Sequence, residues 1–388
     1  MAEKSLKNGG IEKPDFLLTF CCNALDYEKY FRGIQSIIGK DVPIIGGSAI
    51  GIITNDVISY EGFSAGALII ESSRHRHHIA IAKGLNSSEK NAALKIADAL
   101  PRSNDDRLLT ILYDSIKKPG TSNSPPIINA SSGLISGIES KFGTDVPIIG
   151  AGLLGDNTFN HTKQFCGSHV DNQSIIALLL SGDFKAYSII MHGCTPLDGI
   201  YHKITKIDGD IIYEIDNKPI VKMIDEIYGH KEWRRERPVL LISIGVNCGE
   251  RYDEPVEAHY INRLIMGILP EGNGVRIFEP DLEEGSEIQF MLRDTGEIVD
   301  SAKRNSQSLM QQIQSDGHMA VLGLYIDCGG RASAISNTAV EEASEVQNVC
   351  NKFGIPLFGF YSGVEIAPLL GKSRGLDLTG VLTVLTDG

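Results

Sequence analysis

Thiols, amides and carboxylates recur at one kind of place in this chain, immediately after a short apolar run. Cys21-Cys22-Asn23 follow one such run, Asp114 a second, Asn247-Cys248 a third and Asp327-Cys328 a fourth. A cysteine so placed is a nucleophile if a neighbouring cation lowers its pKa, and a carboxylate can take a proton or hold an amine. Cys328 has the best surroundings. Gly329 and Gly330 expose backbone N–H groups, and Arg331 offers a cation to a thiolate or an anion. Glu365 comes after the turn at Ser362-Gly363, where it suits a general base, a ligand acceptor or a helix cap. Cys328 and Glu365 are therefore the candidates for catalysis. Arg293 closes a further apolar run and could hold a carboxylate or pair with Asp294. The blander account of each cysteine is a small hydrophobe closing a buried strand.

The elements that must position these residues are repeats. DVPIIGGSA (41–49) returns as DVPIIGAGL (145–153), and GIPLFGFYSG (354–363) is a third copy. Helical periodicity precedes each, at 27–38, 132–142 and 340–353. A wholly apolar strand precedes each helix, at 16–20, 108–112 and 320–326. A looser fourth unit has a strand at 239–246, a helix at 255–267 and Pro270. The proline stops a helix and sets extended geometry, and the glycines admit sharp turns or close approach. Residues 67–84 and 177–193 read as strand–turn–strand hairpins. The run at 231–237 is the only dense basic one and reads as a solvated linker.

These patterns predict an α/β fold of two related domains, built from strand–helix–strand units with added β-hairpins and mixed sheets. The first spans 14–230, duplicated as about 14–100 and 105–195 with a hairpin and helix at 200–230; the second spans 238–388. Ligands bind outside the carboxyl ends of strands in open α/β sheets. A pocket there would draw Cys22, Asn23, Ser48 and Asp156 from the first half. Cys248, Arg293, Cys328, Gly329, Arg331, Tyr361 and Glu365 would come from the second.

Composition excludes several classes. Lys plus Arg number 36 against 49 Asp plus Glu, a net charge of −13, which suits neither nucleic acid nor an anionic membrane. The first residues lack an apolar core for a signal peptide, and no apolar run approaches a membrane span. Seven scattered cysteines predict free thiols in a reducing cytoplasm. No phosphate-binding loop, dinucleotide fingerprint, Gly-x-Ser-x-Gly elbow or His-Glu-x-x-His occurs. His75-Arg76-His77-His78 lies in a turn, and His161, Cys166 and His169 lack a fourth zinc ligand, so no metal is expected. No cofactor is expected either, with haem on a lone axial His192 a minor option.

Gly46-Gly47-Ser48 with Gly51 resembles the start of the FIST N-terminal domain, a module of F-box and intracellular signal transduction proteins. The stretch from Met191-His192-Gly193-Cys194 through Pro196-Leu197 is similar to that family's middle. Its C-terminal domain looks present at 274–294, at 327–331, and at 359–365 with the closing 378–382. The resemblance covers about residues 14–387. It implies a cytoplasmic sensory protein for a small polar metabolite, such as an amino acid or related acid. With no output domain attached, the signal would pass to a separate partner protein. A haem-based gas sensor is a minor alternative within the family. The rival class is an enzyme, a hydrolase or lyase acting on a small carbonyl or cyclic amide compound, with Cys328 or Glu365 beside an arginine.

Overall fold

In the computed structural model of the chain, which describes residues 1–121 and 124–388, each Pro–apolar–apolar–Gly stretch begins a strand parallel to the one before its helix. Phe16–Cys21 pairs with Ile44–Ser48, Asp106–Asp114 with Ile148–Leu153, and Ala320–Cys328 with Leu357–Ser362. The helices between are Tyr27–Ile38, Ser131–Phe142 and Ala343–Phe353. In the first, Asp26 caps the start by accepting from Lys29 N–H, and Phe31, Ile34 and Ile38 form the buried stripe. The proline carbonyls open all three ladders: Pro43, Pro147 and Pro356 accept from Leu17, Leu109 and Gly323 at 2.9, 3.0 and 2.9 Å. A first strand residue tolerates proline because its N–H is not needed there. The glycine of the motif lies against the neighbouring strand. A Cβ at Gly46, Gly150 or Gly359 would stand 1.8, 1.9 or 2.4 Å from the carbonyl oxygen of Thr19, Ile111 or Tyr325.

The α/β class and mixed sheets agree with the sequence; the hairpins do not. Ala65–Ile70 runs antiparallel to Phe16–Cys21, but the next strand, His75–Lys83, leaves to pair with Ser174–Gly182 of the second repeat. Ala186–Met191 likewise leaves the second repeat to pair with Gly380–Thr386 of the third. The strands after the glycine motif are exchanged as well. Ile52–Thr54 pairs with Leu357–Ser362, Gln164–Gly167 with Ile44–Ser48, and Val364–Leu369 with Ile148–Leu153. Each repeat thus lends a strand to a neighbour, in a closed cycle.

The three resulting sheets pack on one another. Leu18 and Phe20, Leu112 and Ile149, and Ile326, Phe358 and Phe360 meet in one core, where Phe20 and Phe360 stack at 3.8 Å. A fourth region, all β apart from one helix and two 3-10 turns, spans Cys194 to Arg293, packed on its own core around Trp233. It contains the expected hairpin, His202–Asp208 with Ile211–Ile215, and the helix Ile220–Tyr228. It overturns the helix expected at 255–267, where a 3-10 turn and the strands Tyr260–Arg263 and Ile265–Ile268 stand instead. Short apolar runs read equally as buried helix or strand, and here the sheet claims them. The basic run is solvated only in part: Lys231, Arg235 and Arg237 are exposed, but Trp233 is fully buried and Arg234 pairs with Asp225. Among the described residues no helix is long and apolar enough to cross a membrane.

Candidate functional site

Beyond the motif glycines the three second strands end, and the chain turns away toward another sheet. Ile50, Leu154 and Gly363 occupy the same aligned place in these turns, and all three line one cavity of about 240 Å³. The turns are tied to each other: Ile50 N–H donates to Tyr361 O (3.2 Å) and Gly363 N–H to Gly152 O (2.8 Å). Cys328-Gly329-Gly330 continues the wall at the carboxyl end of Ala320–Cys328. Asn157 and Phe159 come from the second repeat, Arg237, Pro238 and Leu240 from the connector, and Leu264 and Phe278 from the fourth region. Ile335, Ser362 and Leu378 complete it. The lining is mainly apolar, with a thiol, a hydroxyl, an amide and a guanidinium among it.

Buried charge holds this wall from behind. Arg331 is fully buried; its Nη1 donates to His192 O (2.8 Å) and Leu378 O (3.0 Å) while the guanidinium pairs with Asp327 (3.3 Å) and Glu342. Tyr325 OH also donates to Glu342 (2.6 Å). Burial and the neighbouring Glu342 hold Asp327 well above the usual carboxylate range. Arg293 does not pair with Asp294, which instead caps the helix Thr295–Ser315. It donates to Leu240 O (3.0 Å) and Gly330 O (3.3 Å), lashing the connector to the glycine turn.

Of the residues expected in the pocket, Cys328 and Gly329 line it. Arg293, Arg331, Tyr361 and Glu365 stand behind the wall. The register makes Cys22, Asp114 and Cys328 equivalent, yet only the last faces the cavity. Cys22 donates to Gly62 O (3.3 Å). Asn23 donates to Asp156 (2.6 Å), and Ser48 Oγ donates to Tyr27 OH (2.8 Å) while accepting from Lys163 N–H (2.8 Å). Asn23, Ser48 and Asp156 form a separate seam that joins the first two repeats, while Cys22 bonds within its own. Cys248 lies in the fourth region, its N–H on His259 O (2.8 Å), away from the cavity. Ile50, Leu154 and Arg237 were not read as site residues. The repeat alignment carried the signal for the first two, since they fall two places beyond Ser48 and Gly152.

The expected activation of Cys328 by Arg331 is reversed. Burial first, and then nearby Glu365, push the thiol well above its ordinary value, because Arg331 is spent on Glu342 and Asp327. Glu365 is itself fully buried, accepting from Ser362 Oγ (2.9 Å) and Thr379 N–H (3.3 Å). Burial holds it well above the carboxylate range. It lies in the strand Val364–Leu369 and caps no helix. His192 is buried and neutral: Nε2–H donates to Glu257 O (2.9 Å), which leaves Nδ1 to accept from Cys194 N–H (2.9 Å). Both ring nitrogens that could ligate haem are thus engaged. Among the described residues no group of three His, Cys, Asp or Glu is placed to hold a metal.

A second charged layer lies behind Leu264, Phe278 and Leu378. Asp377 accepts from Leu264 N–H (2.9 Å), Arg263 forks onto Asp281, and Glu279 caps the helix Ser131–Phe142 through Ser131 and Ser132 N–H (3.1 and 3.0 Å). Burial, then the neighbouring Glu279, push Asp377 up to about 7. Between the unfolded carboxylate value near 4 and pH 7 the folded state therefore binds the extra proton. Stability should fall as pH rises through that window. Three units correspond to about 4 kcal/mol at most. Asp377→Asn, which keeps an acceptor for Leu264, should flatten the dependence of urea midpoint on pH between 5 and 8. A slope identical to wild type would remove Asp377 as its source.

Family comparison agrees with the order of these parts. Residues 15–218 match the FIST N domain and residues 221–368 the FIST C domain. An uncharacterized protein of Mycobacterium bovis is 23% identical over 248 residues, which is 63% of this chain and 62% of that protein. An uncharacterized protein of Mycobacterium tuberculosis is 24% identical over 248 residues, 63% of each. The chain thus spans a little under two thirds of the length of these relatives. Among solved structures, PurLQS from Thermotoga maritima aligns over 97% of this chain and 66% of that one, at 9% identity and a TM-score of 0.18, too low to support any likeness.

Proposed function

The chain belongs to the FIST family, its N and C domains in tandem, and on that basis we propose that it is a cytoplasmic sensor which binds a small molecule in the cavity where the three turns meet. One observation carries the reading: the corresponding turns of all three repeats converge on a single cavity of about 240 Å³. Pockets of this kind are largely preformed, mostly apolar and fitted with a few polar groups. The buried arginines behind the wall hold the lips in place. Occupancy would change how the connector at 237–240 packs against the third repeat, and a separate signalling protein would read that change. Burial, which pushes up the pKa of both the Cys328 thiol and Glu365, favours binding over turnover.

Gly330→Leu tests the reading. A Cβ there meets only Leu378 Cδ2 at 3.5 Å and Cys328 Sγ at 3.8 Å, ordinary contacts, so the added side chain grows into the cavity. A metabolite library screened by thermal shift should yield compounds that stabilise the wild type by about 2.7 kcal/mol at a hundredfold excess over Kd. Those compounds should leave the assay unaltered and should not shift Gly330→Leu. Shifts that persist in the variant would move the site elsewhere, and consumption of the compound would make the protein an enzyme.

A further inference from the structure

Resting on that cavity as the ligand site, we infer that its ligand is an amphipathic anion, an apolar body carrying one carboxylate and no amine. The body has its counterpart in Ile50, Leu154, Phe159, Leu264, Phe278 and Leu378. The charge has its counterpart in two arginines. Arg237 is exposed on the lining, with a single hydrogen bond, to Ile268 O at 3.3 Å, and among the described residues no carboxylate pairs with it. Arg293 is only 7% exposed, also forms no ion pair among the described residues, and leaves its Nε without a partner. Its two acceptors, the carbonyls of Leu240 and Gly330, belong to residues of the cavity wall. A cation buried without a counter-ion is costly, and an anion in the adjoining cavity would offset that cost. Asn157 and Ser362 add neutral hydrogen-bonding groups on the lining.

An amine finds no such counterpart. Among the described residues that line the cavity there is no Asp or Glu. Glu365 and Asp377 are fully buried behind the wall, where burial favours their neutral forms, and Glu236 beside Arg237 is engaged by Leu240 N–H (3.1 Å). Asp327 and Glu342, also behind it, are committed to Arg331. An α-amino acid would thus bring an ammonium into a site whose own charges are positive. The family expectation of an amino acid ligand gives way to one of a simple organic acid.

Matched compounds decide this. Hexanoate and 3-phenylpropanoate should bind the full-length protein, measured by titration calorimetry at pH 7.5. Norleucine and phenylalanine, which add only the amine, should bind at least tenfold more weakly, as should hexanamide and 3-phenylpropanamide, which remove the charge. Arg237→Gln should weaken the two acids at least tenfold and leave the amides unchanged. Equal or tighter binding of the amino acids, or amides that match the acids, would overturn the inference. If Gly330→Leu abolished that binding too, the cavity itself would stand as the site. Failure of all six compounds to bind would also overturn it, and the cavity would then rest on the library screen alone.

Discussion

Replacing Arg331 with methionine should destabilise the protein by about 3–5 kcal/mol, a large share of the roughly 5–15 kcal/mol that holds a typical domain folded. The expectation follows from what the side chain leaves behind. Asp327 and Glu342 are fully buried, and Arg331 is the cation that faces both. Without it two carboxyls share a site that water cannot reach, and the carbonyls of His192 and Leu378 lose their donor. Removing one partner of a buried pair costs more than removing the whole set. The triple variant Arg331→Met, Asp327→Asn, Glu342→Gln should therefore regain much of the loss. Urea unfolding followed by far-ultraviolet dichroism would measure both. A single variant within about 1 kcal/mol of wild type would show that this network is not what holds the glycine turn.

The second large effect is steric. Gly150→Ala should cost several kcal/mol, since a Cβ there would sit 1.9 Å from the carbonyl oxygen of Ile111 in the paired strand. Two buried strands would have to part to admit it, and φ at this residue is +154°. Gly143→Ala supplies the comparison. Gly143 also has a positive φ, of +75°, but open space where its Cβ would go. That change should cost about 1–3 kcal/mol, the backbone strain alone, at φ +75° and ψ −172°. Similar unfolding midpoints for the two variants would rule out close strand approach as the reason for glycine in this motif.

Local chemistry in the sequence predicted the local structure well. The helix at 27–38 and the three Pro–apolar–apolar–Gly strands lie where the pattern put them, because proline, glycine and apolar spacing act over a few residues. Strand partners were another matter. Residues 67–84 have the alternation and polar turn of a hairpin, yet alternation says only that one face is buried and not against which neighbour. His75–Lys83 pairs with Ser174–Gly182, about a hundred residues on, because that strand's edge was open to it. The site divides along the same line. Cys328 and Gly329 line the cavity, and both were legible because they follow a strand in sequence. Asn23, Ser48 and Asp156 instead tie the first two repeats together, and Ile50, two residues beyond Ser48, lines the cavity. Arg237 lay in a run of charge with no local mark of its role. No pattern within 231–237 could reveal that the connector closes a cavity built by three other segments.

The exchanged strands also decide when the protein acquires its site. No repeat can complete a sheet from its own sequence, since the first needs Gln164–Gly167, the second Val364–Leu369 and the third both Ile52–Thr54 and Ala186–Met191. The pairing between Ile52–Thr54 and Leu357–Ser362 closes a loop of about three hundred residues, and long loops slow folding through the entropy of closure. During synthesis the earlier repeats must wait with unpaired edges, exposed to chaperones and to wrong partners. The ring locks only when Leu357–Ser362 and Gly380–Thr386 arrive, and the cavity comes into existence in that same final step. A nascent or clipped chain would therefore lack the cavity altogether rather than hold a weakened form of it.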